Sequence, residues 1–292
     1  MAGSIQQIQQ ELTTLNHKVS ELAQEFEKVY QTYLTALGEA VSKQLILACY
    51  HLCTHGYPES FLKLSFSQRQ QFQQNLQQLA QTAQAQLLTL VTSVQILPHG
   101  NQSKPQREES QSQEEQPETE MTVSPSLSNP LSLPSQQSQQ PPTLPEQLID
   151  WQEQIESAIS HLLNQLSRDT NFLLQHSHIF SPKLPEAILE AASQADAAAE
   201  TIAGPPNLLN IMIETEDAED PQSASITRLM TIHLRLSEIE FADATLMTER
   251  HQIRSLAGQL SQLKHDYYKK QREKAVLEAE SAWRASWFEP ET

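Results

Sequence analysis

Residues 5–33 read IQQIQQELTTLNHKVSELAQEFEKVYQTY. Ile5, Ile8, Leu12, Leu15, Val19, Leu22, Phe26, Val29 and Tyr33 follow one another at intervals of three and four. Such spacing puts all of them on one side of an α-helix, as a heptad repeat with both seam positions filled. Leu37, Val41, Leu45, Cys49 and Leu52 extend the apolar face, and Gly56 with Pro58 supplies a stop. Ser4 is the expected N-cap. A helix over 5–54 makes a rod of about 75 Å, which buries little against itself. The seam therefore predicts packing against other rods, with Leu12, Leu15, Val19, Leu22 and Phe26 as the protein-binding candidates.

Working outward, Ser65 and Ser67 each precede a Gln by three residues, the spacing of a reciprocal N-terminal cap. Phe72, Leu76, Leu79, Ala83, Leu87, Leu90 and Val94 then form a second stripe that ends at Pro98 and Gly100. The short connection predicts an antiparallel helical hairpin, completing an N-terminal module over 1–97. Residues 98–143 differ in kind. Nine of the chain's 16 prolines lie between Pro98 and Pro145, among Ser, Gln and Glu. A stretch so poor in large apolar side chains cannot offset its ordering entropy, so it reads as a disordered linker.

The C-terminal module is expected over 144–292. Thr143 and Glu146 have capping-box spacing, and Leu148, Trp151, Ile155, Ile159, Leu162, Leu166 and Leu173 give an amphipathic helix. An Ala-rich helix is predicted over 186–203, closed by Gly204 and Pro205. An acidic loop follows, with Glu214, Glu216, Asp217, Glu219 and Asp220 ahead of the next helix, where they favour its N-terminal dipole. That last helix is expected to run from about Ser223 to Phe288. Ile232, Ile239, Leu246, Ile253, Leu260 and Tyr267 recur every seven residues, while Asp243 and Arg250 interrupt the second track. The fold class read from these patterns is all-α, with long amphipathic helices, a coiled coil and a helical hairpin.

Composition fits that class. Six Gly in 292 residues are too few for a turn-rich β or α/β fold, and the aromatic content is 6%. The net charge of −17 arises entirely before Arg228, where nine basic residues face 26 acidic ones. Such a surface repels nucleic acid and anionic lipid at long range. The first residues lack the basic and apolar regions of a signal peptide, no apolar run is long enough to span a bilayer, and only two cysteines occur. These features predict a cytoplasmic protein.

Four places carry possible chemistry. Cys49, His51, Cys53 and His55 lie in CYHLCTH. On one helix the thiols share a face and the imidazoles another, so the four do not converge tetrahedrally on zinc; half-sites across an oligomer are the metal alternative. The acidic loop lacks the Gly and alternation of a calcium loop. Lys264, Lys269, Lys270, Arg272 and Lys274, beside Tyr267 and Tyr268, form a basic run with aromatics, the pattern of a nucleic-acid contact. Asp266 and Glu273 interrupt it, so a solvated helix face is the plainer reading. Trp283 and Trp287, four apart, form an aromatic ridge that either caps the bundle or docks a partner. No phosphate-binding glycine loop, nucleophile elbow, HExxH or paired CxxC occurs. No catalytic residue, cofactor or metal is expected.

The strings HLCTHGYPESFLKLSFSQRQ, SITRLMTIHLRLSEIEFADATLM and AWRASWFE resemble uncharacterised helical proteins of cyanobacteria. The resemblance covers about a fifth of the chain and implies a bacterial cytoplasm and no particular activity. The reading as a whole is a protein-interaction scaffold or adaptor that binds other proteins, itself included, through helical seams. Its alternatives are a nucleic-acid binder using 264–274 and a metal or enzymatic protein centred on 49–55.

Overall fold

The computed structural model describes residues 2–93, 144–181, 205–217 and 220–287. The expected linker at 98–143 and the Ala-rich helix at 186–203 lie outside them. The fold is all-α with one small two-stranded antiparallel sheet. Helix α1 spans Ala2–His51 and passes through a π-helical turn, Leu52–Gly56, into a short α2, Pro58–Lys63. Helix α3 covers Phe66–Ser93 and α4 covers Pro145–His176. Strands β1, Leu208–Asp217, and β2, Asp220–Ile232, lead to a one-turn α5, Leu236–Phe241. The chain closes on α6, Ala244–Trp287.

Four long helices make an up-down-up-down bundle, in which α1 packs on α3 and α6, α3 on α4, and α4 on α6. The direction of each follows from its contacts. Along α1, Glu11 meets Lys270 and Tyr33 meets Arg250, so α6 runs antiparallel to it. Tyr30 bonds Glu156 while Tyr57, past the end of α1, bonds Met230, beside the strand residue Ile232 that Asn171 holds; α4 therefore runs parallel to α1. At Gly38 a Cβ would stand 2.8 Å from Gln84 Cγ, so glycine lets α1 and α3 approach. Residues of both sequence modules share one core, which includes Val19, Leu22, Phe26, Tyr30, Leu87, Ile155, Ile159, Ile253 and Leu260.

One expected cap holds and two are corrected. Ser65 caps α3 reciprocally with Gln68, through bonds of 2.8 and 3.3 Å. The cap expected from Thr143 and Glu146 is corrected: α4 is capped one residue later, where the Leu144 N–H donates to Gln147 Oε1 at 3.4 Å and Pro145 takes the first helical position, while Thr143 lies outside the described residues. Ser4 lies inside α1 rather than capping it.

The helix expected from Ser223 is corrected. Residues 220–232 form β2, and α6 begins only at Ala244. The segment SASITRLMTI is rich in Ser, Thr and Ile, which favour extended backbone, and Leu208–Ile213 offers a partner in register, with Leu208 opposite Ile232. Of the acidic residues expected to precede a helix, Glu214, Glu216 and Asp217 therefore lie in β1 and Asp220 begins β2, while Glu219 lies outside the described residues. Asp243 interrupts the apolar track because it is a helix cap: its Oδ1 accepts the N–H groups of Thr245 at 2.9 Å and Leu246 at 3.3 Å. Ile232, Ile239, Leu246, Ile253 and Leu260 are nonetheless all buried, from a strand, a short helix and a long one.

Buried polar groups bolt the hairpin base to the bundle. Asn171 of α4 donates Nδ2–H to Ile232 O and accepts the Ile232 N–H, both at 2.9 Å, so its amide acts as one rung of a third strand. Ser167 Oγ accepts the Leu234 N–H at 2.9 Å. Asn207, held at φ 61°, accepts the Arg235 N–H at 3.0 Å and reaches Gln44 on α1 at 3.3 Å.

Candidate interaction surface

The seam residues of α1 are occupied from within the chain. Val19, Leu22 and Phe26 are buried in the shared core, and Leu12 and Leu15 are half-buried where α1 runs against α6. The single chain supplies the neighbouring rods that the heptad pattern demands.

An open apolar face lies on α6. At about 100° per residue, Tyr268, Val276, Trp283 and Trp287 fall within roughly 100° of arc, while Leu263, Lys270 and Leu277 fall on the far side. The far side faces α1: Lys270 Nζ sits 2.9 Å from Glu11 Oε2. The other side faces solvent, with Tyr268 45%, Val276 50%, Trp283 67% and Trp287 71% exposed. The Tyr268 hydroxyl bonds Glu146, which raises the phenol's pKa while its ring stays open. From Glu278 to Trp287 every residue is exposed, so the helix outruns its support. Ion pairs along the helix brace its last turns, Lys274–Glu278 at 3.6 Å and Arg284–Glu280 at 3.2 Å. The indoles lie against each other with ring centres 5.8 Å apart.

The basic run is partly spent. Lys270 is gripped by Glu11 and Glu273, each at 2.9 Å; their hydrogen bonds raise its pKa and Lys270 lowers that of Glu11. Lys274 pairs with Glu278. Lys269 and Arg272 are exposed, and Lys264 is half-buried.

At the other functional candidate the helix geometry separates the side chains. Cys49 and Cys53 are buried free thiols. Burial pushes Cys49 well above the usual thiol range and Cys53 up to about 12, so neither is a ready thiolate. His51 is half-buried and His55 exposed, with ring centres 5.5 Å apart. Among the described residues no group of three or more His, Cys, Asp or Glu side chains gathers as metal ligands do.

One cluster escaped the sequence reading. Arg250 of α6 donates Nε–H to Glu240 Oε1 at 2.6 Å, Nη1–H to Glu156 Oε1 at 2.5 Å and Nη2–H to the Tyr33 hydroxyl at 2.8 Å. Tyr30 donates to Glu156 and Tyr33 to Glu240, each at 2.6 Å. Burial opposes the guanidinium charge, but its hydrogen bonds and the two carboxylates outweigh that and hold it firmly protonated. Burial also pushes both phenols far above their usual range. A cleft of about 390 Å³, lined by Gln152, Glu156, Glu240, Arg250 and Arg254, opens beside the cluster. The sequence signal was the cation at a seam position of α6, which predicts a buried counter-charge.

No protein-family model, curated protein or solved structure matches this chain. No helix among the described residues is long and apolar enough to cross a membrane.

Proposed function

We propose that this chain is a protein-interaction module, a scaffold or adaptor whose docking surface is the solvent-facing side of α6 between Tyr268 and Trp287. One observation carries the reading: a helix already packed through one face presents a second apolar face, with two tryptophans more than 65% exposed. A surface helix of a self-sufficient bundle is polar on its outer side, and Trp is prominent among residues that anchor interfaces. The arrangement supports association rather than chemistry, because the polar groups of the Arg250 cluster are committed to one another. The cytoplasmic location expected above belongs to the same proposal.

A photocrosslinking residue at Ala279, on the open face, tests it in cells. Discrete adducts that vanish when Trp283 and Trp287 are both changed to Ala support the docking surface. Adducts indifferent to those tryptophans, or none, reject it.

A further inference from the structure

We infer that the partner of this face is a second copy of the same chain, laid antiparallel along α6. The inference rests on the docking reading above and names its occupant.

Charge supplies the first argument. Within 264–274, Lys264, Lys269, Lys270, Arg272 and Lys274 outnumber Asp266 and Glu273 by three. Within the rest of the helix, 278–287, Glu278 and Glu280 outnumber Arg284 by one. One helix thus carries a strongly basic stretch followed by a weakly acidic one. Parallel pairing would set like against like, whereas antiparallel pairing sets each stretch against its opposite, twice over. A two-fold axis produces that arrangement, since the same patch then serves both copies.

Side-chain register supplies the second. With the axis crossing between Leu277 and Glu278, Tyr268 of one copy lies opposite Trp287 of the other, Arg272 opposite Trp283, and Val276 opposite Ala279. Aromatic meets aromatic, a guanidinium meets an indole face as in cation–π contacts, and a branched aliphatic meets a methyl. Ala275, Ala279 and Ala282, on the same side as the aromatic stripe, let the backbones approach.

Area supplies the third. At these exposures the four large side chains present roughly 500 Å² per copy. With Arg272 and the flanking alanines the patch approaches the ~800 Å² per partner of an ordinary specific interface.

Sedimentation of the full chain at about 50 μM is the test. The expected mass is twice 33.0 kDa, falling to that of one chain when Trp283 and Trp287 are both Ala, with helicity unchanged because both side chains are exposed. Arg272→Glu, a second and milder variant, is expected to weaken the dimer at least tenfold, and 0.5 M salt to weaken it severalfold. A dimer that survives both variants is built elsewhere and overturns the inference. A 33.0 kDa species that still gives tryptophan-dependent adducts from position 279 in cells overturns self-pairing and leaves the docking surface standing; a 33.0 kDa species without such adducts removes both.

Discussion

Arg250 joins three elements of the bundle to one guanidinium: Glu156 lies on α4, Glu240 on α5 and Tyr33 on α1. Its Cζ also stands 4.7 Å from the centre of the Tyr33 ring. A buried ion pair need not stabilise a fold relative to well-packed apolar groups, yet removing one partner strands the other charge. Arg250→Ala leaves Glu156 and Glu240 facing each other with no cation between them. It is expected to cost about 3 kcal/mol, read as a lower urea midpoint at unchanged slope. Adding Glu156→Gln and Glu240→Gln should recover part of that loss. Asn171 makes a different residue-scale case, since Leu has nearly its shape and neither of its hydrogen bonds. Asn171→Leu leaves the Ile232 N–H and C=O unpaired at a buried strand end, at a cost of about 2 kcal/mol. Faster amide exchange confined to 229–234 would show the hairpin base loosening; unchanged protection there would refute the clamp.

At the scale of elements, α6 begins where Asp243 caps it. Asp243→Ala removes an acceptor used by two N–H groups and is expected to cost about 1 kcal/mol, with fraying confined to the first turn of α6. A uniform loss across the bundle would contradict a local cap. The same aspartate shows what was legible beforehand. Period-three-and-four stripes gave α1, α3 and α4 because each stripe lies on one uninterrupted helix. The seven-residue recurrence from Ile232 to Leu260 was equally regular, yet it crosses a strand, a one-turn helix and a long helix. Burial explains this: each of those residues faces the core, and core-facing recurrence does not record what backbone lies between. The discriminating signals were local, namely Ser, Thr and Ile between 223 and 232, and an Asp two residues before Thr245. Trp283 and Trp287 were visible as a ridge, but their exposure was not, because solvent access depends on where α1 stops short of α6. The Arg250 cluster was legible only as a defect in a stripe, since its partners lie 94 and 217 residues away in sequence at Glu156 and Tyr33.

Across the whole molecule, the core is an apolar bundle that has also enclosed acidic protons. Tyr30, Tyr33, Cys49 and Cys53 are each at most 4% exposed, and burial raises all four pKa values. An unfolded chain releases the thiol protons near 9.0 and the phenol protons near 10.0, the values these groups have when unperturbed. The folded chain keeps them. Above those values the native state therefore binds more protons than the unfolded state, and unfolding stability falls as pH rises. The contribution is fully present below about pH 9 and is lost progressively above it, by about 1.4 kcal/mol per group for each further pH unit. No such loss arises from these groups between pH 7 and 8.5. Urea unfolding at intervals from pH 7 to 11 is expected to show a plateau and then a steepening decline, first from the thiols and then from the phenols. Cys49→Ala with Cys53→Ala should delay the onset by about one pH unit, even though the cavities it leaves lower stability at pH 7. Were the decline to begin at the same pH without the thiols, the first protons released on alkaline unfolding would come from other groups, and the thiols would have no part in setting the limit.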